Sequence, residues 1–363
     1  MTEEKIPAKK KIKAVEVDPA NVVEATDDII AAIHASGDES AGLLGSENNN
    51  LKIRGVISTQ CPTLDLAIGR GGIPLGRLTI LHGGEACGKT SSALHLVAEV
   101  QRLGGIALYM DKEYKLDPDY AEAIGVDTKK LIISQPNHLE SAFDIQSKVI
   151  ERAAKWRVKN KKRVPILIVL DSMNAAITKA QFEGDSEQKH MAAQARCYSE
   201  QLPRLIPQAS KEDVALCWIS QIRKKMNIQF GDGDEIAGGQ APRFYASLII
   251  NYKRVGTLKS GQDKIGSNVV AECKKNQISS PFKKAKFDIR WGEGIDAEGA
   301  LLEIALEKGV IARRGNTFYF GEVKLGITAE KVSSALKKAP KYAAKIAAAS
   351  EVPWRSSGLT EGV

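Results

Sequence analysis

Gly83 to Thr90 run Gly-Gly-Glu-Ala-Cys-Gly-Lys-Thr, directly after the apolar run Leu78–Leu81 and directly before a helical pattern. This G-x-x-x-x-G-K-[ST] spacing constrains the fold more than any other feature, because it works only as a strand, loop and helix in an α/β sheet. The glycines let consecutive backbone N–H groups turn inward, Lys89 reaches the β/γ oxygens of a nucleotide, and the Thr90 hydroxyl is placed for Mg²⁺. Gly83, Gly84, Glu85, Ala86, Cys87, Gly88, Lys89, Thr90 and Ser91 are therefore the expected cradle for a nucleoside triphosphate with Mg²⁺.

With 43% hydrophobic and 26% charged residues in 363, the chain can build one substantial α/β core plus smaller additions. A formal charge of +8 favours a polyanionic partner. Cys61, Cys87, Cys197, Cys217 and Cys273 lack C-x-x-C spacing, and neither a signal peptide nor a long apolar span is present. A reducing cytoplasm, no structural zinc and no membrane attachment are the expectations. His190 has no partner at ligand spacing and is not expected to bind a metal.

Residues 1–20, with five lysines and two prolines, read as a disordered basic tail. An amphipathic helix is expected over 21–36 and a Gly/Ser/Asn linker over 37–50, so that 21–51 precede a core of 52–295. Within the core, short apolar runs alternate with helical stretches, the pattern of a doubly wound, mostly parallel sheet. Strands are expected at Leu78–His82, Ile106–Asp111, Leu131–Ser134, Ile166–Asp171 and Val214–Ser220. Helices are expected near Lys89–Leu103, Pro118–Ile124, Leu139–Lys155 and Gln188–Ala209, the last bent or shortened by Pro203 and Pro207. Hairpin-like runs at Phe244–Lys253, Ser267–Lys274 and Ala285–Trp291 predict an antiparallel edge. Residues 296–350 read as a small basic α+β domain and 351–363 as a tail.

Asp171 ends an apolar strand some eighty residues after the phosphate loop, the place of a carboxylate that supports the metal behind Thr90. Glu113 lies two residues past the strand Ile106–Asp111, on the side where ligands of open α/β sheets bind, and is the candidate to orient water. Asp111 is its competitor. Gln221 stands at the end of a further strand, where an amide can sense the γ-phosphate. The segment after it, 223–242, is Gly-rich and begins with Arg223, Lys224 and Lys225. With Phe230, Gly238 and Gly239 it suits a loop lying along nucleic acid. Residues 182–190 form another such loop, the first of the two in chain order, with 223–242 the second.

The motifs together resemble the RecA-type DNA recombinases over roughly residues 52–325. The stretches that carry the resemblance are Leu64-Asp65-Leu66-Ala67, the phosphate loop, Leu116-Asp117-Pro118-Asp119-Tyr120, Ser134-Gln135-Pro136, Leu170-Asp171-Ser172, Gln221-Ile222-Arg223, Gly238-Gly239, Phe244-Tyr245-Ala246-Ser247, Lys275-Asn276 and Gly292-Glu293-Gly294-Ile295. The resemblance implies a core with an N-terminal oligomerisation helix. It also implies ATP and Mg²⁺ as cofactors, and a DNA-dependent ATPase active in recombination, repair and the SOS response to DNA damage. Single-stranded DNA, homologous duplex DNA and a helical filament of protomers are its implied partners. It assigns Lys89 and Thr90 to phosphate and Mg²⁺, Glu113 to water, Asp117 and Tyr120 to adenine, and Gln221 to relaying nucleotide state. Glu183, Gly184, His190, Met191, Arg196 and the loop 222–242 are assigned to DNA, and Lys275 to the nucleotide of a neighbouring protomer.

Two departures stand out. Where most bacterial members have Lys-Asn-Lys across the protomer interface, this chain has Lys275-Asn276-Gln277, so one trans cation is missing and slower hydrolysis is expected. The sequence ends in Glu-Gly-Val without an acidic tail, and the basic C-terminal domain is expected to take up duplex DNA readily. Such departures fit a phage-encoded or otherwise divergent member. The alternatives are a ring helicase of the same superfamily, disfavoured by the short polar region before Lys52, and a DNA-coating protein that holds ATP with little hydrolysis.

Overall fold

In the computed structural model, which describes residues 19–37, 41–43, 52–184, 190–224 and 234–354, the strand Leu78–Gly83 is buried along its whole length at the centre of a nine-stranded sheet. Across the sheet the strands run Gly294–Ile295, Lys284–Arg290, Asp263–Asn276, Ala246–Ser260, Leu78–Gly83, Val214–Gln221, Ile166–Asp171, Ile106–Asp111 and Ile132–Ser134. From Ala246–Ser260 to Ile132–Ser134 all neighbours are parallel, and the other three pairings are antiparallel. The fold class is thus α/β, a mostly parallel sheet with an antiparallel edge, as the apolar runs predict.

The inner strands read as unbroken apolar runs because both faces are covered. Leu81, Tyr109, Val169 and Cys217 point into one core layer. Ile80, Met110, Leu170 and Trp218 point into the other, alternating residue by residue as the pleat requires. In the second layer Phe143 and Tyr198 stand around Trp218 at centroid distances of 5.7 and 5.8 Å, and the indole donates to Gln146 Oε1 at 3.2 Å.

Several elements differ from expectation. The helix His190–Lys211 runs through Pro203 and Pro207 without shortening. Both prolines lie on its exposed face, so carbonyls that lose a helical partner meet water. The helix starting at Leu139 continues to Asn160, opened by a reciprocal cap between His138 and Ser141. Phe244 and Tyr245 close a short helix, Gln240–Tyr245, and the following strand reaches Ser260. Pro62–Ile68 forms a helix, and Val56–Ile57 pairs with Ile73–Pro74.

The C-terminal part packs the helices Ala297–Glu307, Ala329–Lys338 and Pro340–Ala349 on a three-stranded sheet of Ile311–Arg314, Thr317–Phe320 and Val323–Gly326. Its core includes Leu301, Phe318, Ile346 and Trp354. Packing therefore carries past residue 350, where the sequence suggests a tail. Residues 1–52 form a separate unit. Its helix, Pro19–Ala35, leaves Val23, Ile29 and Ile33 exposed.

Candidate nucleotide and DNA site

The C-terminal ends of four adjacent strands meet in register, with Gly83 opposite Gln221 and Asp171 opposite Asp111. This row is where an open α/β sheet presents ligand-binding residues. Gly88, at φ +92°, turns the loop into the helix Lys89–Arg102, and no side chain caps that helix, so its leading N–H groups face the loop. A Cβ at Gly88 would stand 2.0 Å from Ile289 Cδ1, and one at Gly83 would stand 2.5 Å from the Tyr252 carbonyl oxygen. Backbone packing therefore demands glycine at Gly83, and the left-handed φ demands it at Gly88, where the Ile289 tip could move aside.

Lys89 is buried and donates to the carbonyls of Gly83 at 3.0 Å and Gly84 at 2.5 Å. Cys87 closes the loop by donating to Gly84 O at 2.9 Å, and burial pushes its thiol pKa up. Ser91 shares a 2.6 Å hydrogen bond with the Tyr120 hydroxyl, tying the helix Pro118–Ile124 to the phosphate-loop helix. Asp117 is exposed and caps that short helix by accepting from Asp119 N at 3.0 Å.

Behind the loop, Asp171 Oδ2 accepts from Thr90 Oγ1 at 2.9 Å and from the Tyr109 hydroxyl at 2.6 Å. Burial raises the Asp171 pKa, and the two hydrogen bonds oppose that rise. Burial and the neighbouring Asp171 raise the Tyr109 pKa well above its ordinary value, which keeps Tyr109 a donor. Among the described residues no group of three or more His, Cys, Asp or Glu is placed to hold a metal. One hydroxyl backed by one carboxylate is instead the donor set that suits Mg²⁺ bound chiefly through phosphate and water.

Glu113 and Asp111 part company here. Asp111 accepts four backbone N–H bonds, from Glu113 and Tyr114 at 3.0 and 2.8 Å and from Lys115 and Leu116 at 2.9 and 3.0 Å. Its oxygens are used in shaping the loop. Glu113 is presented by that loop instead, with Oε1 accepting from Ser172 Oγ at 2.6 Å and Gln221 Nε2 at 2.8 Å, and Oε2 lying 3.3 Å from Lys115 Nζ. Asp111→Ala is expected to destabilise the protein by about 2–3 kcal/mol, since four N–H groups of one loop lose their common acceptor and water can replace it only in part. Denaturant unfolding monitors this, with an accompanying loss of ATP turnover.

Three participants lie outside the sequence reading. Ser172 and Tyr109 position carboxylates, and Asn174 holds Gln221 through its backbone, accepting from N at 2.8 Å and donating to O at 3.2 Å. Ser172 follows Asp171 directly and carried a signal; nothing in the sequence marks Asn174.

The DNA-binding candidates are partly described. Glu183, Gly184 and Arg196 are exposed, with Glu183 3.7 Å from Lys179 Nζ. His190 and Met191 open the helix to Lys211, and Arg223–Lys224 pairs antiparallel with Asp234–Glu235. The second loop therefore begins as a hairpin, which the sequence did not suggest. Lys225 and Phe230 lie outside the described residues. Gly238 is buried, and a Cβ there would stand 2.3 Å from the Tyr198 ring, so packing as well as loop geometry calls for glycine at this position. Gly239 follows at φ +76° beside Ala195. The foot of the second loop is thus seated on the helix that leads out of the first.

Lys275 is half-buried and donates to the carbonyls of Arg243 and Phe244, both at 2.9 Å, and burial lowers its ammonium pKa. Asn276 fixes the adjoining turn by accepting from Ile278 N and Ser279 N at 3.1 and 3.0 Å. Gln277 is exposed.

The RecA N-terminal domain model matches residues 24–296, spanning this entire site. The chain belongs to the RecA family. It is 39% identical over 290 residues to Protein RecA of Rubrobacter xylanophilus, covering 80% of this chain and 81% of that one. Protein RecA of Symbiobacterium thermophilum is 37% identical over 333 residues, covering 91% and 92%. As a RecA-family member the chain is a recombinase of recombination and repair and a DNA-dependent ATPase. Nucleotide dependence, DNA binding and filament formation come with the RecA family. Among the described residues no helix is long and apolar enough to cross a membrane.

Proposed function

We propose that the protein polymerises on single-stranded DNA with ATP and Mg²⁺, aligns the strand with homologous duplex and exchanges the two, working in the cytoplasm. The observation that carries the reading is the hydrogen bond from Gln221 to Glu113. It joins the residue best placed to orient water to the residue from which the second loop departs. A γ-phosphate that draws on either side chain shifts the other, and Gln221 passes the shift into the backbone of Ile222, whose N–H bonds Gly83 O at 3.2 Å.

In this reading Gly83–Ser91 cradle the phosphates, Lys89 neutralises charge between β and γ, and Asp117 and Tyr120 flank adenine. Mg²⁺, held by Thr90 with Asp171 behind it, would supply charge neutralisation at the phosphates. Glu113 orients and deprotonates the attacking water. Glu183, Gly184, His190, Met191, Arg196 and the loop 222–242 contact DNA. Lys275 approaches the nucleotide of the next protomer, and the 21–36 helix region docks on that protomer.

Gln277 leaves the trans half of the site one cation short. Gln277→Lys is expected to raise single-stranded-DNA-stimulated turnover by about tenfold or more, measured as phosphate release. An unchanged rate would show that another cation already serves there. Electron microscopy of the native chain with ATP, Mg²⁺ and single-stranded DNA tests the assembly. Helical filaments support the reading, and closed rings would replace it with a helicase.

A further inference from the structure

Lys148 to Arg163 carry eight cations against one carboxylate, Glu151, within a chain whose total formal charge is +8. This segment, the second half of one helix and the turn after it, thus carries a local formal charge of +7, eight cations less one carboxylate, and none of the roles above uses it. Cations are favoured at a helix C terminus, and Arg157 and Lys159 stand in the last turn; Arg157 is spent on neighbouring segments, donating to Val164 O at 2.8 Å and to Glu212 O. Asp213 engages Arg163 at 3.0 Å and Arg54 at 3.2 Å, and Lys155 pairs with Glu151 at 2.5 Å. Lys159, Lys161 and Lys162 remain exposed, with no ion pair among the described residues.

The arrangement is directional. Lys148, Arg152, Lys155 and Lys159 recur at helical spacing along one stripe of the helix Leu139–Asn160, about 16 Å long at 1.5 Å per residue. Trp156 stands beside them, 38% exposed. The stripe runs into a cavity of about 300 Å³ whose lining sets five cations, among them Lys161, Lys162 and Lys211, against the two carboxylates Glu212 and Asp213. All of this surrounds the N-terminal ends of the strands Ile166–Asp171 and Val214–Gln221. Asp171 and Gln221 are at the opposite ends, about 20 Å away along the strands.

We propose that Lys148–Arg163 form a second DNA-binding surface, which takes the phosphate backbone of duplex DNA on the side of the protein away from the nucleotide and its two loops. Duplex DNA presents a negative charge per about 1.7 Å of axis, so a lysine stripe without a specificity pocket meets it at any sequence. A membrane surface would ask for an apolar face, and that face of the helix is spent on the core through Phe143, Ile150 and Ala153. The surface would hold incoming or neighbouring duplex near the filament without entering the catalytic path. The inference rests on the reading of the chain as a DNA-handling recombinase.

The test compares the native chain with a Lys159→Gln, Lys161→Gln, Lys162→Gln variant. Both are assembled with ATP on oligothymidine and titrated with a labelled duplex oligonucleotide over a potassium chloride series. The slope of log affinity against log salt should shrink by roughly 2 to 3, at about 0.9 per phosphate contact, and affinity at low salt should fall at least tenfold. Turnover stimulated by oligothymidine should match the native chain's in the same samples, and that native turnover reports separately on the recombinase reading. Equal slope and affinity in the two proteins would overturn the proposal. Loss of binding to poly-aspartate with duplex binding untouched would overturn it in favour of an acidic protein partner.

Discussion

Glu113→Gln will lower single-stranded-DNA-stimulated ATP turnover by about 10²–10⁴-fold, the span that a positioned general base contributes, while nucleotide still binds. The amide keeps an oxygen for Ser172 and Gln221, which bond Glu113 Oε1 at 2.6 and 2.8 Å. The loop is held by Asp111 rather than by Glu113 itself, so the change removes basicity and leaves geometry. Phosphate release and fluorescent-nucleotide titration together check this. A rate within a few-fold of native would move the water-activating role elsewhere, and Asp111 is a poor successor because its oxygens already hold four N–H groups. Filaments of the variant should persist, since hydrolysis rather than binding is impaired.

Lys89→Ala should differ in kind. Its ammonium, fixed across the loop by the Gly83 and Gly84 carbonyls, is the one cation inside the cradle of Gly83–Ser91. Losing it removes a charge from phosphate in both ground and transition states. Turnover should fall by about 10²–10³-fold, and nucleotide affinity should fall with it, unlike in Glu113→Gln. The same two assays decide it: native-like nucleotide affinity in Lys89→Ala would mean that the loop backbone alone carries phosphate recognition.

The parts of this site that depend on spacing were legible in the sequence. The phosphate loop needs fixed glycines, a lysine and a hydroxyl in one short segment, and Asp171 and Glu113 are marked by their places at strand ends. What escaped depends on atoms brought together from distant segments. Asn174 and Gln221 are 47 residues apart in sequence, and Asn174 reads as an ordinary loop residue. Tyr109 looks like any core aromatic until its hydroxyl is seen on Asp171. The packing need for glycine at Gly238 is equally invisible in the sequence, because the Tyr198 ring that occupies the place of a side chain comes from a helix forty residues earlier. In the fold, strand positions followed from apolar runs, and the bounds of two helices, Lys89–Arg102 and Pro118–Ile124, were legible as well, whereas the C-terminal ends of Leu139–Asn160 and His190–Lys211 were not. Prolines on a solvent face cost the helix His190–Lys211 little, and the cationic end of Leu139–Asn160 has helix-forming residues without an apolar period.

The central claim is that this ATPase pairs and exchanges homologous DNA. It is tested most directly by mixing the native chain with circular single strands and homologous linear duplex, and resolving the products on a gel. Joint molecules that require ATP, Mg²⁺ and homology are the predicted result. Their absence under conditions where ATP is being turned over, or their equal formation with unrelated duplex, would contradict it.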